Sequence, residues 1–242
     1  MGLQAQLRFL LLSAVIVIGL VLFGSWYFGA NLLHLAFFAE GRSDPYLVLD
    51  FRKVGAGDGG DYEVALEASD EEWRADFSAH WRLANVLEGR VADEWPVLTL
   101  STYREAAHVV QFVTSPAYRT LSEEDPEFAH RLLGSFETLQ QDPSPVLVVW
   151  LAKEAKEGMY SLTRLITDLP ASASVVWQGE VSTVSVSEEA ATEWQHGVIV
   201  GFDDLESAVA YATEENLRVE RELVRSRVEA LLLAIYVNAA IN

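Results

Sequence analysis

The sequence contains no cysteine. That excludes disulfides, thiolate nucleophiles and Cys-ligated zinc or iron–sulfur centres, and it is compatible with either side of a membrane. Basic residues are scarce too: 17 Lys+Arg stand against 36 Asp+Glu in 242 residues, a formal net charge of −19. A surface of that sign repels phosphate backbones and argues against nucleic-acid binding. It is equally unsuited to lying flat on anionic lipid. It favours solubility, or a basic partner. Metal-ligand patterns are missing: none of His34, His80, His108, His130 or His196 belongs to an H-E-x-x-H or comparable spacing. No metal site and no cofactor are therefore expected. The run Gly55–Gly60 lacks the spacing and the Lys-Ser/Thr ending of a phosphate loop, and no G-x-S-x-G elbow occurs. The glycines read as a turn.

Charge of either sign is absent from Phe9 to Ala39. This run exceeds the roughly 20 residues that cross a bilayer. A cleaved signal peptide is the rival reading, but its apolar region spans ~7–15 residues and ends at small residues. Here Phe37 and Phe38 occupy the end of the run. The expectation is a single-pass anchor in the lipid bilayer over Phe9–Phe28, within an anchor and juxtamembrane segment of residues 1–39. Trp26, Tyr27 and Phe28 would form an interfacial aromatic belt. Arg8 precedes the span; Glu40, Arg42 and Asp44 follow it. That order places the N-terminus in the cytoplasm and the domain outside, in the periplasm of a bacterium. Leu231 to Ile241 is too short to cross again and reads as a buried strand.

An internal repeat appears at an offset of 99 residues. Tyr46–Phe51 lies over Pro145–Trp150, Glu94-Trp95 over Glu193-Trp194, Tyr103 over Phe202, Phe112 over Tyr211 and Thr114 over Thr213. The chain then divides into repeats of residues 40–143 and 144–242. In the first, strands are expected at Tyr46–Val54, Trp73–Glu88, Pro96–Tyr103 and weakly at Leu133–Leu139. Helices are expected at Asp61–Ala68 and Glu105–Phe112. In the second, strands are expected at Val146–Ala152, Ser174–Val186, Gly197–Phe202 and Leu232–Asn238, and helices at Met159–Leu169 and Leu205–Glu229. The fold class is α+β: β-α-β-β-α-β twice, the ferredoxin-like order, with two sheets able to bury their bare faces on each other as a pseudo-dimeric barrel.

Val86-Leu87-Glu88-Gly89, the strand Trp95–Tyr103, and Phe112 leading to Ser115-Pro116 and Tyr118 together resemble domain-of-unknown-function family 1330, of the dimeric α+β barrel superfamily. The second repeat keeps Phe202-Asp203, Glu206 to Ala208 and Tyr211, then departs, with Glu214, Glu215 and Leu217 in place of the tail. The resemblance implies a ferredoxin-like fold and a two-sheet barrel. It implies no activity, because that family has no settled one; the wider superfamily includes haem-binding and cofactor-free monooxygenases as well as members without known catalysis.

Glu88, at a strand end, is the first candidate for an acid–base role, and His80 the second. Trp81, His108 and His196 are candidates for lining a ligand site. Against each stands a plainer role: Glu88 as a turn residue, the histidines as surface or hydrogen-bonded core groups, the tryptophans as packing. With no catalytic constellation, the leading expectation is a non-catalytic binding or accessory module of a membrane complex. The alternative is an enzyme or sensor for a small apolar or haem-like ligand. A side-chain-filled interior favours the first.

Overall fold

The structure, a computed structural model, describes residues 45–53, 75–89, 95–116, 118, 129–154, 162–186 and 193–238. The expected anchor Phe9–Phe28, the turn Gly55–Gly60 and the helix Asp61–Ala68 lie outside the described residues. No described helix is long and apolar enough to cross a membrane.

In chain order the elements are β1 (Tyr46–Lys53), β2 (Phe77–Glu88), β3 (Val97–Tyr103), α1 (Ala106–Thr114), β4 (Ala129–Ser135), β5 (Val146–Glu154), a 3₁₀ turn (Leu162–Ile166), β6 (Ala173–Glu180), β7 (Ser182–Val186), β8 (His196–Phe202), α2 (Leu205–Thr213), α3 (Glu215–Arg225) and β9 (Val228–Asn238). This is a mixed α+β fold on one antiparallel sheet of order β6-β8-β5-β9-β2-β3-β1-β4-β7. β6 and β7 stand at opposite ends of that order yet are consecutive in the chain, separated by Val181 alone. One extended run therefore pairs β8 with its first part and β4 with its second, and the sheet closes on itself. β2 makes the same exchange, pairing β3 through Phe77–Arg82 and β9 through Trp81–Glu88.

Closure explains the sequence pattern. β1 reads YLVLDFRK because both of its faces are covered. Leu47, Leu49 and Phe51 point into the barrel with Trp81, Trp95, Trp177, Trp194 and Tyr236. Tyr46 and Val48 point outward beneath α1 with Val109 and Phe112. Strands buried on two faces lose the apolar–polar alternation of a half-exposed strand. In the second half Val146, Val148, Trp150 and Ala152 of β5 form the outer layer against Ala208, Tyr211 and Leu217.

Several sequence expectations need correction. Leu205–Glu229 is not one helix: Glu214 is extended (ψ 140), α2 ends at Thr213, and the chain is already in β9 from Val228. A straight helix carrying the α2 stripe Ala208, Tyr211, Ala212 would rotate Leu217 and Val224 off the core, and the break restores them. Of the helix expected at Met159–Leu169, the described residues from Leu162 onward form a 3₁₀ turn, Leu162–Ile166, in which Leu162 and Leu165 meet the core at the three-residue period of that geometry. The weak strand expected at Leu133–Leu139 lies earlier, at Ala129–Ser135, because its paired residues include His130 and Arg131. The repeat offset slips by one in the first strand: Tyr46 pairs Tyr103 whereas Val146 pairs Phe202, so Val146, not Pro145, answers to Tyr46.

Candidate functional site

The five residues singled out from sequence fall apart in space. Trp81 packs inside the barrel and its indole N–H donates to the Ser144 carbonyl at 3.1 Å. Glu88 ends β2, where its carboxylate meets Arg225 at 2.9 Å and Arg221 at 3.6 Å, both on α3. Gly89 follows with φ +145, a conformation that glycine adopts without strain. His108 lies half-buried on α1, and His196 opens β8 opposite Ala152 and Glu180. His80 stands beside a buried polar layer: it pairs Thr99, which pairs Asp50.

That layer lies on the outer face of the first half, beneath α1. Asp50 and Arg52 are two residues apart on β1 and so share this face. They are 1% and 3% exposed. Arg52 Nε lies 3.4 Å from Asp50 Oδ2, and Arg52 Nη2 donates to Thr99 Oγ1 at 2.6 Å. His130 stands opposite Arg52 on β4. Tyr118 packs edge-on against His130 at 5.5 Å and against Phe112 at 5.1 Å. Its backbone N–H donates to Ser115 Oγ at 3.2 Å. Ser78 and Ser101 share a hydrogen bond of 3.0 Å on the next row.

The electrostatics follow from burial. Desolvation, then the Arg52 guanidinium, push the His130 imidazole down to about 4. Desolvation, then the Asp50 carboxylate, hold the Tyr118 and Tyr103 phenols well above their ordinary value. At neutral pH the layer thus holds a neutral imidazole and neutral phenols beside the Asp50–Arg52 pair.

The second half has the same strands without this chemistry. Trp150 and Ala152 occupy the places of Asp50 and Arg52, Val198 that of Thr99, and Leu231 that of His130. All four are buried in an apolar layer. The signal was present in sequence: an Asp and an Arg inside an otherwise apolar strand, absent from its repeat. Among the described residues no group of three or more His, Asp or Glu is placed to hold a metal.

Comparison with known proteins adds the following. No protein-family model matches the chain. No curated protein matches it either. Solved structures do. A Fusobacterium nucleatum protein described as a candidate monooxygenase aligns over 81% of this chain and 93% of its own, at 10% identity and TM-score 0.47. An anthrone oxidase-like protein aligns over 83% and 93%, at 10% identity and TM-score 0.48. A variant of chlorite dismutase from Candidatus Nitrospira defluvii aligns over 82% and 93%, at 12% identity and TM-score 0.43. At such identities the functional reading rests on this chain's own residues.

Proposed function

We propose that the chain is a membrane-tethered, non-catalytic binding module, whose second half serves as scaffold and whose first half reads the partner or ligand through the layer beneath α1. The tether is inferred from the uncharged run Phe9–Ala39. The observation that carries the reading is the contrast between two equivalent faces, one holding Asp50, Arg52, Thr99 and His130 and the other wholly apolar. Buried charge is costly to keep, and a repeat without it folds on the same strands.

Two features support binding over catalysis. The barrel interior is filled by the protein's own side chains: Trp81, Trp95 and Trp177 are at most 1% exposed, and Trp194 2%. The ionisable groups are also tuned away from proton transfer at neutral pH, His130 downward and Tyr118 upward. A general base works best with a pKa near the working pH.

The test is mild detergent extraction from native membranes followed by size exclusion and cross-linking. The expected result is a detergent-dependent protein migrating in a larger assembly. A lone monomer, or a protein washed from membranes by alkaline carbonate, contradicts the proposal. A second reading, an enzyme or sensor for a small or haem-like ligand, is favoured by the same buried polar layer. It predicts a bound small molecule, or a haem absorption band, in protein purified from its source.

A further inference from the structure

Two apolar side chains stand out on the surface of the second half. Val219 is 47% exposed and Leu223 41%, and both belong to α3. Four residues apart on a helix, they form one stripe on one face. The opposite face is fixed: Leu217 and Val224 are buried, and Arg221 and Arg225 hold Glu88 at the end of β2. α3 cannot roll to bury the stripe without giving up those contacts.

The charges beside the stripe are ordered. Arg218 and Glu222 stand one turn apart, are exposed, and pair with each other. Each precedes a stripe residue by one position, so both lie on the same flank of it. α3 as a whole holds Arg218, Arg221 and Arg225 against Glu215, Glu220 and Glu222. It is neutral in a chain of net charge −19, so two copies of it can approach without the repulsion that the chain imposes in general.

An antiparallel copy fits this face. A two-fold axis across the middle of the stripe sets Val219 of each copy against Leu223 of the other, an isologous contact. The same axis brings Arg218 of each copy beside Glu222 of the other, because like flanks meet in an antiparallel helix pair. These ions are exposed and already paired within each helix, so they add little energy; they set direction and register.

We propose that α3 is a self-association surface, through which two copies of this chain meet antiparallel at Val219 and Leu223. An 11-residue helix is about 16 Å long, so the contact falls well short of the roughly 1,600 Å² of a standard stable interface, and the dimer is weak and concentration-dependent. A lipid surface suits the face less, because the exposed guanidinium is matched by a carboxylate and no excess of cation is offered to anionic headgroups. The surface belongs to the second half, so it and the layer beneath α1 can fail independently.

The absence of cysteine makes the contact easy to trap: a single introduced thiol can form a disulfide only with its copy in another chain. The test is oxidation of Glu222→Cys, in the full chain in mild detergent at rising concentration, with Arg104→Cys, at an exposed position of the first half, as control. The expected result is a disulfide-linked dimer from Glu222→Cys and little from Arg104→Cys. Adding Leu223→Glu should lower the yield about 10-fold, and because Leu223 is exposed the fold is spared, as circular dichroism confirms. In sedimentation without cysteines, Arg218→Glu and Glu222→Arg should each weaken self-association, and mixing the two should restore it, since each then offers the other an opposite charge. The same oxidation in native membranes separates the occupants: a homodimer supports the proposal, and capture of a different protein in its place overturns it. A monomer at every concentration, equal yields from the two cysteine variants, or a dimer indifferent to Leu223→Glu also overturns it.

Discussion

Removing one member of the Asp50–Arg52 pair should be much more harmful than removing both. The side chains are 1% and 4% exposed, with Nε and Oδ2 3.4 Å apart. At an effective dielectric of ~20 their attraction is about 5 kcal/mol, most of it offset by the cost of taking both charges out of water. Arg52→Met leaves the carboxylate buried beside a thioether, and Asp50→Asn leaves the guanidinium without its counter-charge. Each should cost about 3–5 kcal/mol. The double variant leaves no buried charge from this pair and should lie within about 2 kcal/mol of the parent, as the apolar Trp150 and Ala152 in the equivalent places suggest. The coupling energy of the cycle is then about 4 kcal/mol or more. Guanidinium denaturation of the full chain in mild detergent, followed by the near-ultraviolet signal of the buried tryptophans, measures it. Additive costs, with the double variant the least stable of the three, would show that the pair is not a mutually dependent buried unit.

Three further outcomes can be checked. A Cβ on Gly134 would fall within the contact radius of the Tyr46 hydroxyl, so Gly134→Ala should cost about 1–3 kcal/mol in a denaturation series, with Tyr46→Phe recovering part of it. Glu88→Gln should loosen α3: Arg225 is 70% exposed and contributes little, Arg221 at 19% contributes more, and a total of about 1 kcal/mol should appear as faster amide exchange in α3. Because the imidazole of His130 falls from 6.5 to about 4 on folding, the unfolded chain binds the extra proton. Stability from this group is therefore complete above pH ~6.5 and is lost as pH falls toward 4, by up to about 3 kcal/mol, and His130→Gln should flatten that window in urea titrations.

Most of the strand order was legible because a closed sheet buries both faces of β1, β3, β5 and β8, leaving apolar runs such as YLVLDF and VLVVW that declare themselves. β4 was misplaced because its paired residues include His130 and Arg131, which carry no hydrophobic signal although Arg131 is buried. The break at Glu214 was invisible because neither Gly nor Pro marks it; it is set by where Tyr211 and Leu217 must dock. The site was harder still. The histidines and the strand-end glutamate that stand out singly in the sequence are scattered by the fold. The informative comparison was between repeats, where Asp50 answers to Trp150 and Arg52 to Ala152. Register in three dimensions was needed to make it, because the repeat offset slips by one along that strand.

The partner exchange of β2 and of the β6–β7 run also bears on how the chain is made. Until Ser182–Val186 and Val228–Asn238 have been synthesised, β4 has a strand on one edge only, β1, and the far part of β2 lacks the strand it pairs with. The first half therefore waits with two open edges, the kind that recruit other chains. Barrel closure depends on contacts distant in sequence, which form late. A truncation that stops short of β9 should behave as an aggregating fragment, and the layer beneath α1 should become stable only when the last strand arrives.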